Sequence, residues 1–246
     1  MKSFELYNKG NRRWVVFARD PLRPNFVIDT NQYLITQAGK GILLDPGGQE
    51  IFPAFVSALA REISLNDIVA IFASHQDPDI ISSLALWLDV CTDPPVYVPY
   101  IWRTFIPHFG GGERLTSIPD EGMALPLNGT DDLRAVPAHY THSAGNFSVY
   151  DPTAKILFSG DIGGALLPAD FTSLFVENFG NHVQYMEGFH KRWMPSNAAK
   201  NDWIKRVRML DVNMMCPQHG AIFKKDDVQR FLDWFEKLEV GSAIAK

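Results

Sequence analysis

Short apolar runs broken by turn residues fill the first third of the chain, and helical periodicity fills the last third. Residues 26–28, 32–36 and 41–44 are rich in apolar and β-branched side chains, with Asp29-Thr30-Asn31 and Gly39-Lys40-Gly41 between them as turns. Pro46-Gly47-Gly48 ends this meander. Apolar spacing then predicts a helix over 51–63, through Phe52, Phe55, Val56, Leu59, Ala60 and Ile63. A buried strand follows over 68–73, a polar loop over 74–79, a helix over 80–90 and a strand over 96–99. Strands are predicted near 114–118, 133–137, 147–150 and 155–158. The end turns helical over 183–193, 198–209 and 226–238, interrupted by one strand over 213–216. Two mixed β-sheets face to face with helices outside, an α/β sandwich of four αββα layers, satisfy that order. No linker of biased composition and no repeat divides the chain, so residues 1–246 read as one domain. Gly110-Gly111-Gly112 and residues 163–182 are the expected mobile or insert-like stretches.

Bulk properties narrow the class. The 246 residues are 46% hydrophobic, ample for a packed core, and the net charge of −5 comes without a Lys/Arg run. Nucleic acid is therefore not an expected partner. Cys91 and Cys216 sit in apolar settings and provide no disulfide framework, which fits buried thiols in a reducing compartment. The N-terminus lacks the apolar stretch of a secretory signal, and no run is long enough to span a bilayer. The expectation is a soluble, cytoplasmic protein with no membrane partner.

The chemistry concentrates in Ser74-His75-Gln76-Asp77-Pro78-Asp79, which places an imidazole and two carboxylates directly after a buried strand. Residues two apart in an extended segment point the same way, which aims His75 and Asp77 at one point with Asp79 nearby. Imidazole with carboxylate suits iron, zinc or manganese. His142, Asp161 and His219 share this placement at the end of a strand-like run, each with a glycine within three residues. Singly, each is more often a turn or core residue than a ligand. His139 faces away from His142 if 135–142 is extended. His108, His182 and His190 have no partner motif, although His182 follows a loop from which it could act as a lid. Cys216, three residues before His219, is read as packing, and Trp87, Trp102, Trp193, Trp203 and Trp234 are read as core.

The order His-x-Asp-x-Asp, His, Asp, His resembles the metallo-β-lactamase superfamily, and more closely its flavodiiron branch. The family's first motif is His-x-Glu/His-x-Asp-His; here it runs His75-Gln76-Asp77-Pro78-Asp79-Ile80. The resemblance extends from Asn31-Gln32-Tyr33-Leu34-Ile35 to Pro217-Gln218-His219-Gly220. It implies that His75, Asp77 and His142 hold one metal, Asp79 and His219 a second, and that Asp161 bridges them. Asp77 stands where zinc hydrolases usually carry His, and so favours iron. Ile80 stands where the family has a second His and cannot ligate. The chain ends at Lys246 without the flavodoxin domain of flavodiiron oxygen reductases, so no FMN is expected on it. Residues 141–147 and 193–196 resemble the stand-alone oxygen-binding di-iron proteins. The resemblance therefore implies two non-haem iron ions, with zinc or manganese as alternatives, and dioxygen or nitric oxide as ligand. It implies an oxygen sensor with a partner in bacterial signalling or chemotaxis. The alternatives are an O2/NO reductase fed by an external electron donor and a metal-dependent hydrolase. A homodimer is compatible with all three.

Overall fold

Gly10, at a φ of 63°, turns an N-terminal hairpin that apolar periodicity does not announce. Its strands are β1 (Lys2–Lys9) and β2 (Arg12–Ala18). A computed structural model describes residues 1–19, 26–110 and 112–244, with the backbone alone at 130 and 131. Gly111 of the glycine-rich stretch lies outside these residues. The chain divides into two compact units, Met1–Leu133 and Arg134–Lys246.

In the first unit β1 and β2 are followed by β3 (Gln32–Gln37), β4 (Lys40–Leu44), β5 (Ile68–Phe72), β6 (Val96–Pro99) and β7 (Leu115–Ile118), hydrogen-bonded in chain order as a seven-stranded sheet. The first four strands run antiparallel, and β4 to β7 run parallel. Trp14, Val15, Val16 and Phe17 of β2 are all buried, so both faces of that strand are covered and it reads as a continuous apolar run. The helices are α1 (Phe52–Leu59), α2 (Pro78–Ile81) and α3 (Leu84–Val90). Phe55 of α1 packs between Phe17 and Trp87, with 5.0 Å between ring centroids on each side. The predicted helix over 80–90 is thus two pieces: Ser83 turns out of the helix, and its hydroxyl donates to the carbonyls of Pro46 and Gly47 at 2.9 and 2.7 Å. The predicted strand over 26–28 is absent. Phe26 is 88% exposed, and residues 26–28 form a turn and bend rather than a strand.

The boundary between units falls inside β9 (Thr130–Pro137), which follows β8 (Met123–Leu127). In the second unit come β10 (Phe147–Asp151), β11 (Ile156–Gly160), β12 (Met214–Pro217) and the short β13 (Phe223–Lys224). The second sheet has the order β13-β12-β11-β10-β9-β8. Strands β11 and β12 are parallel, while β9 and β11 each run antiparallel to β10. The C-terminal ends of β9, β11 and β12 therefore share one edge. The helices are α4 (Phe179–Trp193), α5 (Asn197–Arg208) and α6 (Lys225–Lys237). Asn178 and Ser196 cap α4 and α5 by accepting from the N–H groups of Asn181 and Ala199. The end of α6 is capped from outside: buried Lys200 donates to the carbonyls of Phe235, Glu236 and Leu238 at 2.7, 2.8 and 2.7 Å. No helix among the described residues is long and apolar enough to cross a membrane.

Candidate metal centre

Parallel strands present their C-terminal ends together, and loops on that edge can converge on a ligand. In the first unit the loop after β4 begins with Asp45, and the loop after β5 carries His75, Asp77 and Asp79. Asp45 is fully buried and adopts a φ of 53°, rare for a residue with a side chain. Its two carboxylate oxygens accept from the Ser74 N–H at 2.7 Å and the Ser74 hydroxyl at 2.8 Å. Nδ1 of His75 lies 2.9 Å from that same hydroxyl oxygen. The hydroxyl's one proton is already given to Asp45, so Nδ1 must be the donor and the lone pair resides on Nε2. Nε2 in turn lies 3.7 Å from Oδ2 of Asp77. This chain of hydrogen bonds fixes both the tautomer and the orientation expected of a metal-binding imidazole.

Asp77 holds the N-cap position of α2 with extended backbone, and Pro78 occupies the first helical position. Its side chain does not cap the helix, so the loop turns the carboxylate towards His75 instead. Asp79 lies in the first turn of α2. Ile80 is fully buried in the apolar cluster of Ile81, Leu84 and Trp87, and so adds no donor.

In the second unit His142, Asp161 and His219 follow β9, β11 and β12. Asp161 has one carboxylate oxygen directed at each imidazole: Oδ2 lies 3.5 Å from Nε2 of His142, and Oδ1 lies 3.4 Å from Nε2 of His219. Such a carboxylate has the geometry to serve two ions at once. The segment before His142 is extended only as far as Pro137. Beyond β9, Tyr140 and His142 both adopt positive φ, 56° and 83°. A left-handed residue with a full side chain costs on the order of 1–3 kcal/mol, and such strain concentrates at functional sites. Thr141 donates to the Ala138 carbonyl, and Asn146 donates to the Thr141 carbonyl at 2.9 Å, which holds the turn in place. The His139 ring packs on Phe147, 5.1 Å between centroids.

Helix α4 contributes a layer that sequence reasoning missed. The Phe189 ring lies 6.3 Å from both His142 and His219, and Trp193 lies 5.2 Å from His142. Trp193 is 53% exposed and is not a core residue as expected. The signal available in sequence was the spacing of Phe189 and Trp193, four residues apart and therefore on one helical face. His190 and His182 are both buried in α4, and burial pushes each down to about 4. The loop expected before His182 is instead the first turn of α4, and the ring is surrounded by Phe171, Tyr185 and Phe223 rather than acting as a lid. Cys91 and Cys216 are free and buried, with burial raising both thiols.

Two mixed sheets with helices, and imidazoles and carboxylates at strand ends, define a metallo-β-lactamase fold with a candidate metal centre. A profile described as ODP family beta lactamase matches residues 28–220, and the chain belongs to that family. The peroxy diiron species of chemotaxis sensor ODP is 40% identical, covering 98% of this chain and 97% of that one, with a TM-score of 0.87. The apo state of chemotaxis sensor ODP from T. denticola is 39% identical over 98% and 96% of the two chains, with a TM-score of 0.89. A mutant of the flavo di-iron protein from Thermotoga maritima shares the fold at 21% identity and a TM-score of 0.80, over 95% of this chain and 60% of that one. An uncharacterized protein of Methanocaldococcus jannaschii is 25% identical over 83% of this chain. The chain spans about half the length of that relative, at 52%.

Proposed function

We propose that the chain is a non-haem di-iron protein that binds dioxygen and serves as an oxygen sensor in bacterial signalling, chemotaxis included. The observation that carries the reading is the Asp161 carboxylate, with one oxygen directed at each of two imidazoles. It occurs in a chain similar along nearly its whole length to a protein described as a di-iron chemotaxis sensor. In this reading His75, Asp77 and His142 hold one ion, Asp79 and His219 the other, and Asp161 bridges. In support, His75 and Asp77 lie together within the first unit, and His142 and His219 both face Asp161 within the second.

The donor set fits iron. Hard carboxylate oxygens beside imidazole nitrogens suit iron or manganese, and nothing in the set offers the thiolate that would favour a closed zinc site. Two ferrous ions held there would supply two electrons and a coordination position for dioxygen. The protein's part is orientation and exclusion: Asp45 and Ser74 hold the Nε2 lone pair of His75 outward, Ile80 presents hydrocarbon in place of a ligand, and Phe189 and Trp193 flank the second unit's imidazoles. We read the whole chain as one domain, because the line between its compact units falls within a single strand. Cytoplasmic placement accords with two free buried thiols. The sensor reading requires a signalling partner to recognise the oxygenated state.

The test uses full-length protein stripped of metal and reloaded anaerobically with ferrous iron. The expected outcome is two irons per chain and a lasting change in visible absorption on mixing with oxygen. An oxygen electrode should show no sustained uptake. Rapid continued uptake with a small iron–sulfur electron donor would assign a reductase. Stoichiometric zinc without iron from iron-replete cells, with metal-dependent hydrolysis and no oxygen response, would assign a hydrolase.

A further inference from the structure

Two residues beyond Asp161, the backbone N–H of Gly163 donates to Nε2 of His190 at 3.0 Å. Nδ1 of the same ring lies 2.7 Å from the Met186 carbonyl, one turn earlier in α4. A carbonyl can only accept, so Nδ1 carries the proton and Nε2 accepts from Gly163. The ring is fully buried, and Phe231, Trp234 and Phe235 hold it edge-on at 5.1–5.9 Å between centroids. Its plane, tautomer and reach are therefore all fixed from within the helical layer.

The segment it grips is tight. Within residues 159–164 the Ile162 N–H donates to the Ser159 carbonyl at 3.2 Å, and the Ser159 hydroxyl donates back to the Ile162 carbonyl at 2.6 Å. The Gly164 N–H donates to the Asp161 carbonyl at 2.9 Å. Gly163 has a φ of 89°, and a Cβ there would meet the Met215 methyl at 2.8 Å, so the backbone approaches β12 as only glycine can. In such a turn, moving one peptide plane rotates the carboxylate carried two residues earlier.

We infer that His190 is a positioning residue for Asp161: by holding the Gly163 N–H, it sets the turn that directs one Asp161 oxygen at His142 and the other at His219. The inference rests on the reading of Asp161 as the bridging ligand. Outer partners of this kind typically change metal affinity by about 10–100-fold.

The experiment compares wild type, His190→Phe, His190→Gln and His182→Phe. Phe keeps the ring packing and removes the acceptor, whereas Gln places an amide oxygen at about the reach of Nε2. His182→Phe alters another buried histidine of α4 that lies against Phe171 and Phe223 rather than the turn. Metal-free protein is titrated anaerobically with ferrous iron. The readouts are iron per chain after desalting, the visible absorption of the loaded protein, and the thermal midpoint of the metal-free protein. His190→Phe should bind iron at least tenfold more weakly and give an altered spectrum. His190→Gln should restore most of both, and His182→Phe should match wild type. Should His190→Phe fail to fold, His190→Met, smaller and without a strong acceptor, takes its place. Wild-type affinity and spectrum in the variant lacking the acceptor overturn the inference, as does a Gln variant as defective as Phe. If wild type holds two irons, either result removes this inference alone. If wild type takes up no iron, the di-iron reading falls and this inference with it.

Discussion

His182 makes the stability of the fold depend on pH in a way that one substitution should erase. Its ring is 3% exposed, and among the described residues its Nε2 has no hydrogen-bond partner. Burial lowers the group from 6.5 to about 4, an effect only partly opposed by the charge of Asp227. The folded value lies below the unfolded one, so the unfolded chain takes up the proton first. Stability is therefore unaffected above about pH 7 and falls as pH drops from 6.5 towards 4. With the free energy changing by about 1.36 kcal/mol per pH unit, the loss attributable to this ring is about 2 kcal/mol at pH 5 and about 3 kcal/mol at pH 4. His182→Phe removes the titrating group and keeps the aromatic packing. Urea unfolding of metal-free wild type and variant at pH 7.5, 6, 5 and 4.5 isolates the effect, because every other titrating group is shared. The variant should equal or slightly exceed wild type at pH 7.5 and gain steadily below pH 6.5, by about 2 kcal/mol at pH 5. Parallel stability curves across that range would show that protonation of His182 is not coupled to unfolding, and the argument from burial would be refuted.

Two further outcomes follow from the same structure. Asp161→Ala should lose metal at both positions and His219→Ala mainly at one, as counted by mass spectrometry of metals; full occupancy in Asp161→Ala would exclude the bridge. Lys200→Met should lower the thermal midpoint by roughly 10 °C, since three carbonyls at the end of α6 lose a charged donor worth about 3 kcal/mol in total; a shift below about 2 °C would mean that water serves them equally well.

The part of this molecule legible in sequence is the part governed by short-range pattern. Strands β3 to β6 and helices α5 and α6 fall within a few residues of their predicted bounds, because each combines a clear period with a turn or cap at its ends. What escaped was decided at longer range. Strand β1 is mostly exposed and polar, and only pairing with β2 makes it a strand. The break between α2 and α3 depends on Ser83 finding the carbonyls of Pro46 and Gly47, residues that no local window contains. The candidate site divides along the same line. His75, Asp77, Asp79, His142, Asp161 and His219 could be singled out because residue type and position after an apolar run are local properties. Asp45, which steers His75 through Ser74, was legible only as the start of a Pro-Gly-Gly turn. His190, whose ring grips the turn bearing Asp161, was legible only as one histidine in an aromatic helix. Both act through a hydrogen bond to a residue that is distant in sequence, 29 positions for Asp45 and 27 for His190. Candidate ligands are constrained by their own chemistry, and although each is ambiguous alone, their order along the chain makes the set recognisable. The groups that aim them are constrained only by geometry, so here they become visible when the fold brings them together.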